Sequence, residues 1–203
     1  MFWPYNGRMT KRLFMGITFS DEVADALVAD QASLAPHLRT GRMSTRENLH
    51  LTLAFLGDVD VDAEKRAREA MSFTALKGHP LELALGELGF FDHHNRLMIW
   101  RGITPGKGLD DLIALQTRLV RELTSRDVAV EARPYRPHIT LARNARLVDE
   151  APVEVVPVFF AATAIRLMWS HHPEGGPLAY TPVFSADLGA SDARQVADVS
   201  STR

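Results

Sequence analysis

The chain has 203 residues, of which 46% are apolar and 24% charged, with a formal net charge of −2. Such totals fit a soluble globular protein of one domain or two lobes, and they exclude a global positive field for nucleic acid. Cysteine is absent, which removes disulfides, thiolate nucleophiles and cysteine-based zinc sites and is compatible with a reducing cytoplasm.

Residues 1–10 contain Phe2, Trp3, Pro4 and Tyr5 but no continuous apolar run. We expect a flexible extension there, no signal peptide, and Met9 as an alternative start. No stretch reaches the length of a membrane-spanning helix. The run Arg12–Phe19 is rich in β-formers and predicts a buried strand. Ser20 follows as a helix N-cap with acids behind it, and Val23, Ala24, Leu27 and Val28 recur at helical spacing as far as about Pro36. A basic loop (Arg39, Arg42, Arg46) leads to a strand from His50 to Leu56.

A helix fits Asp62–Leu76, closed by Lys77 and Gly78. Strands are predicted over Leu81–Leu88 and Arg96–Ile103 around a turn at residues 92–95. Between about Leu109 and Ser125, Leu112, Leu115, Leu119 and Val120 form one apolar stripe. Pro134 and Pro137 then precede a strand from His138 to Arg143; Val155–Trp169 and Leu178–Phe184 predict further strands around a loop at residues 171–177. The polar tail 190–203 lacks periodicity and predicts disorder. Strands and helices mix without regular βαβ alternation, which indicates an α+β fold with antiparallel sheets.

One segment occurs twice: His50-Leu-Thr-Leu-Ala-Phe55 and His138-Ile-Thr-Leu-Ala-Arg143. Strand alternation puts His50 and Thr52 on one face with Leu51, Leu53 and Phe55 on the other, and likewise His138 and Thr140 against Ile139 and Leu141. Packing alone demands only the apolar positions, so repetition of the polar ones points to chemistry. A neutral histidine can take a proton from water while a protonated one gives a proton to a leaving oxygen. The threonine hydroxyls, Thr52 and Thr140, can bond phosphate oxygens as charge develops. This scheme calls for no metal and no cofactor.

With this pair of motifs the chain resembles the 2H phosphoesterase superfamily, specifically the RNA 2′,3′-cyclic phosphodiesterases, or 2′-5′ RNA ligase-like proteins. The resemblance runs through residues 12–17, 47–57, 136–143, 167–170 and 180–182. It implies a bilobal fold of two pseudo-symmetric antiparallel sheets backed by helices within residues 11–189, with one motif from each lobe in a central cleft. It further implies His50 as proton donor to the 3′-oxygen, His138 as proton acceptor from water, a 2′-phosphate product, and in some members ATP-independent joining of RNA ends.

Arg143 stands where the family often has a phosphate contact, although strict alternation would turn it to the apolar face. Tyr135 and Arg136 are candidates for a base or phosphate contact. Arg39, Arg42, Arg46, Arg133, Arg136, Arg143 and Arg146 concentrate positive charge beside the motifs. The pair His93-His94 reads as surface residues; His171-His172 reads as surface residues or as a phosphate contact at the cleft rim. The expected partner is an RNA end or nucleotide carrying a 2′,3′-cyclic phosphate, with no membrane, no obligatory protein partner and a cytoplasmic location. Other cyclic or 2′-5′-linked nucleotides, and a binding module without turnover, remain alternatives.

Overall fold

A computed structural model describes residues 10–92, 94, 96–148 and 155–190. The proposed N-terminal extension and polar tail lie almost wholly outside the described residues, as does His93.

Nine strands and three helices are seen among the described residues: β1 (Lys11–Ile17), α1 (Asp21–Leu34), β2 (Leu38–Met43), β3 (Leu51–Val59), α2 (Val61–Leu76), β4 (Leu81–Asp92), β5 (Leu97–Ile103), α3 (Lys107–Thr124), β6 (Ile139–Leu147), β7 (Phe159–Ala162), β8 (Ala164–His171) and β9 (Ala179–Asp187). All strand pairs are antiparallel. The strand order is β7-β4-β5-β6-β3-β1-β8-β9, with β2 added to β6. The α+β, two-lobed architecture is thus present, but the two antiparallel halves are joined. Their seam is a single residue pair, Leu51 of β3 with Ile139 of β6.

Leu51 and Ile139 occupy the same place in the two copies of the motif. An antiparallel pair centred on equivalent residues generates a local two-fold axis between the copies. Continuing the register sets His50 beside Thr140 and Thr52 beside His138.

Apolar alternation drives the rest. Leu13, Met15 and Ile17 of β1 and Leu51 and Leu53 of β3 are buried with Ala67, Ala70 and Met71 of α2 and Leu112, Leu115 and Leu119 of α3 in one large core. A smaller cluster under α1 joins Leu34 to Ile99, Ala142 and Ala145. Asp60 caps α2 by accepting from the Ala63 amide at 2.9 Å. Ser20 stands at the N-cap of α1 as expected, yet its side chain makes no capping bond.

Three departures from the sequence reading matter. The basic loop contains β2, a polar edge strand with little apolar content to announce it. The apolar run predicted as one strand over Val155–Trp169 divides at Thr163, β7 pairing with β4 in one half and β8 with β1 in the other. Finally, β4 continues to Asp92, four residues past its expected end.

Candidate active site

The two histidines are held alike. His50 Nδ1 lies 2.7 Å from the Asn48 carbonyl oxygen, and His138 Nδ1 lies 2.7 Å from that of Arg136. A carbonyl only accepts, so Nδ1 carries the hydrogen in each neutral ring and Nε2 is left free for proton transfer. In both copies the carbonyl belongs to the residue two places before the histidine, at the irregular approach to the strand.

The ring environments differ. His50 is buried, between Phe14 (centroids 4.7 Å) and the edge-on ring of Tyr180 (5.0 Å). His138 is half-buried, with Phe91 edge-on at 5.1 Å and Trp100 at 6.4 Å. Burial, aided by the charges of Arg143 and His138, holds the His50 pKa down to about 4, against the pull of the Asn48 carbonyl. Burial likewise lowers His138, with Arg143 and Arg133 acting in the same direction and the Arg136 carbonyl against it. The two imidazoles are close enough for the charge of one to disfavour charge on the other.

Strict alternation breaks inside both motifs, and at the same position. Gly16 pairs with Thr52 and Met15 with Ala54, leaving Leu53 as an extra residue in β3. Trp100 pairs with Thr140 and Ile99 with Ala142, leaving Leu141 extra in β6. Each is a β-bulge, which re-aims the side chains beyond it. Phe55 and Arg143, two residues on, consequently reach the cleft. This corrects the expectation that Phe55 backs the motif: it is 38% exposed and meets Phe14 at 5.8 Å. Arg143 Nη2 is 3.5 Å from Thr140 Oγ1, on the same side as the histidine-threonine face.

Thr140 is buried and Thr52 half-buried. Opposite Thr52 stands Gly16, where a Cβ would lie 2.8 Å from the Leu51 carbonyl oxygen; glycine alone permits this approach of β1 to the motif. A recess of about 90 Å³ is lined by His50, Thr140, Arg42 and Arg143. It adjoins a cleft of about 880 Å³, which shares Arg42, Arg143 and Tyr180 and adds Arg12, Phe14, Phe55, Arg133 and His172. The local positive charge expected from the sequence is thus present at Arg42 and Arg143, while Arg133 is neutralised by Glu131 on the same cleft wall. Arg46 is instead engaged by Asp21 and Asp25, both at 2.8 Å.

Tyr135 and Arg136 are placed differently from the other candidates. The Tyr135 ring packs against the large core, and its hydroxyl is buried without a partner among the described residues. Arg136 is exposed and serves His138 through its backbone carbonyl. Neither side chain lines the recess or the cleft, and His138 and Thr52 also stand outside both linings. Phe14 and Tyr180, which flank His50, lie in segments that carry the resemblance but are not among the site residues expected from the sequence. Tyr180 is positioned by Asn48, whose Oδ1 accepts from the Tyr180 amide at 3.2 Å and whose Nδ2 donates to the Leu178 carbonyl at 2.8 Å. His172 does reach the cleft, its Nδ1 3.0 Å from the Gly176 carbonyl oxygen.

Residues 19–173 match the model of the 2′-5′ RNA ligase superfamily. The chain belongs to that family. It is 30% identical over 177 residues to the RNA 2′,3′-cyclic phosphodiesterase of Escherichia coli, covering 85% of this chain and 94% of that protein. It is also 30% identical over 142 residues to the RNA 2′,3′-cyclic phosphodiesterase of Geobacillus stearothermophilus, covering 70% of this chain but 44% of that longer protein. Among solved structures, Escherichia coli LigT complexed with 3′-AMP superposes with a TM-score of 0.72 at 28% identity, over 90% of this chain and all of that one. This member of the superfamily therefore shares the fold of a protein crystallised with a nucleotide. Among its described residues no helix is long and apolar enough to cross a membrane.

Proposed function

We propose that the chain hydrolyses RNA 2′,3′-cyclic phosphate ends to 2′-phosphates, within one bilobal domain spanning residues 11–189. His138 Nε2 takes a proton from the attacking water, and His50 Nε2–H gives one to the departing ribose 3′-oxygen. Thr52, Thr140 and Arg143, with Arg42 beside it, bond the non-bridging oxygens as charge gathers on them. The observation that carries this reading is the matched pair of imidazoles, each with Nδ1 tied to a backbone carbonyl and Nε2 left free. Both relatives described above are named for this activity.

The free protein holds His50 neutral near pH 7. A phosphate anion at Nε2 favours the protonated ring and so prepares the donor when substrate binds. With a 5′-hydroxyl in place of water, the same displacement yields a 2′-5′ phosphodiester, as the superfamily's name supports. A cytoplasmic location belongs to this reading, and the cysteine-free sequence fits it.

The test is to incubate the protein in EDTA with an RNA ending in a 2′,3′-cyclic phosphate, with and without a second RNA bearing a 5′-hydroxyl, and to locate the phosphate in the product. Hydrolysis to a 2′-phosphate is expected. His50→Ala and His138→Ala should each lose at least about 100-fold in rate. Activity in both variants, or none in the wild type, sinks the reading.

A further inference from the structure

In each lobe a glutamine from a helix reaches the carbonyl of the extra leucine of the bulge. Gln31 of α1 donates from Nε2 to the Leu141 carbonyl at 2.9 Å. Gln116 of α3 donates from Nε2 to the Leu53 carbonyl at 3.3 Å. These two helices lie far apart in the chain, and the motif residue they grip is the same in both copies.

The Gln31 arrangement is the fuller one. Its other amide hydrogen goes to the Ser44 carbonyl at 2.8 Å, while the Ser44 amide donates to the Leu141 carbonyl at 2.8 Å. Ser44 Oγ also donates to the Thr140 carbonyl at 2.7 Å. Gln31 is 7% exposed, so its bonds are made out of water, and losing them would leave the Leu141 carbonyl to the Ser44 amide alone and strip the Ser44 carbonyl of this donor. An ionised glutamate has no donor to offer two carbonyls, and leucine has none at all. Gln116 is half-buried and makes one bond.

Strict alternation would return Arg143 and Phe55 to the apolar faces of their strands; the bulge is what turns them out. We propose that Gln31 and Gln116 are positioning residues, each bonding the carbonyl of the extra leucine and so fixing the bulge that aims Arg143 or Phe55 into the cleft. Where it concerns Arg143, the inference rests on the phosphate contact proposed above. It adds residues remote from the histidine-threonine face to the machinery of the site.

The experiment compares Gln31→Leu, Arg143→Ala and the double variant with the wild type. Calorimetry measures binding of inorganic phosphate, and kcat/KM is measured on uridine 2′,3′-cyclic phosphate. Gln31→Leu should weaken phosphate binding about tenfold or more, and the double variant should be little worse than Arg143→Ala alone. A folded Gln31→Leu that binds phosphate within about twofold of wild type overturns the inference, and so do losses that multiply in the double variant. Phosphate binding needs no turnover, so coupling between Gln31 and Arg143 in a protein that fails to hydrolyse would overturn the proposed reaction and leave the positioning role standing. Should Gln31→Leu not fold, Gln116→Leu with Phe55→Ala carries the same test: losses in kcat/KM that do not multiply support the role, and losses that multiply overturn it.

Discussion

Arg42 and Arg143 are direct cross-strand partners between β2 and β6, and both line the recess beside His50. Neither has a carboxylate within salt-bridge distance among the described residues; Arg143 meets only Thr140 Oγ1 and the Met98 sulfur. Like charges set opposite each other weaken a sheet by up to about 1 kcal/mol, and an anion between them reverses the sign. Arg42→Gln should therefore raise the melting temperature in phosphate-free buffer. It should also shrink the stabilisation given by added phosphate and lower kcat/KM by about 10- to 100-fold. Thermal melts with and without phosphate decide the matter: a variant less stable than wild type in both buffers contradicts it.

Buried His50 gives stability a pH dependence of definite sign. Its pKa is about 4 in the folded protein against 6.5 for the ordinary group, so between those values the unfolded chain binds more protons. Stability is full above pH 6.5, declines as the pH falls through that window, and levels off below about pH 4, a total effect near about 3 kcal/mol. His50→Gln cannot titrate there, and its denaturation midpoint should vary less between pH 7 and 4. Equal acid sensitivity in the two proteins would remove this account.

Phosphate should reverse that depression. Nuclear magnetic resonance titration of the His50 ring is expected to show its pKa rising from about 4 toward the usual histidine range when phosphate is bound. The pH profile of kcat, which reports the bound complex, should correspondingly lie to the alkaline side of the kcat/KM profile. Superimposed titration curves with and without phosphate would separate His50 from the anion.

Gly89 of β4 makes room for Trp100, since a Cβ there would stand 2.3 Å from the indole ring. Trp100 and Phe91 border His138. Gly89→Ala should cost about 1–3 kcal/mol through overpacking and lower kcat more than it changes KM, because the displaced indole disturbs a proton-transfer group. Unchanged kcat in a folded variant would show that Trp100 does not steer His138.

The repeated motif makes much of this site legible in the sequence. The polar residues that repeat with the apolar ones single out His50, Thr52, His138 and Thr140; His50 and Thr140 are buried at the recess, while His138 and Thr52 are half-buried outside its lining. Alternation then fails at Phe55 and Arg143, because a bulge adds a residue without altering the hydrophobic pattern that alternation reads. The strand β2 escapes because its four central residues, Arg39 to Arg42, are polar or glycine, its apolar Leu38 and Met43 stand only at the ends, and it is held largely by pairing to β6. The change of lobe at Thr163 is hidden for the opposite reason, in a run continuously rich in β-formers. Tyr135 lies beside a motif in sequence, but its ring goes to the core, and neighbours along a chain need not share a surface.

The seam at Leu51 and Ile139 has a bearing on direction. A frame that repeats about a two-fold axis offers a cyclic phosphate two poses related by exchange of its two ribose oxygens, and backbone symmetry alone would accept either. The only side-chain difference at the end of the motifs is Phe55 against Arg143, a ring on one side and a cation on the other. On the proposed reading, that position joins the unequal burial of His50 and His138 in making the poses unequal and in deciding which carbon–oxygen arm of the ring keeps the phosphorus. The regiochemistry of the product is then written partly in the two residues that the bulges expose, while the backbone hold on the two histidines remains matched.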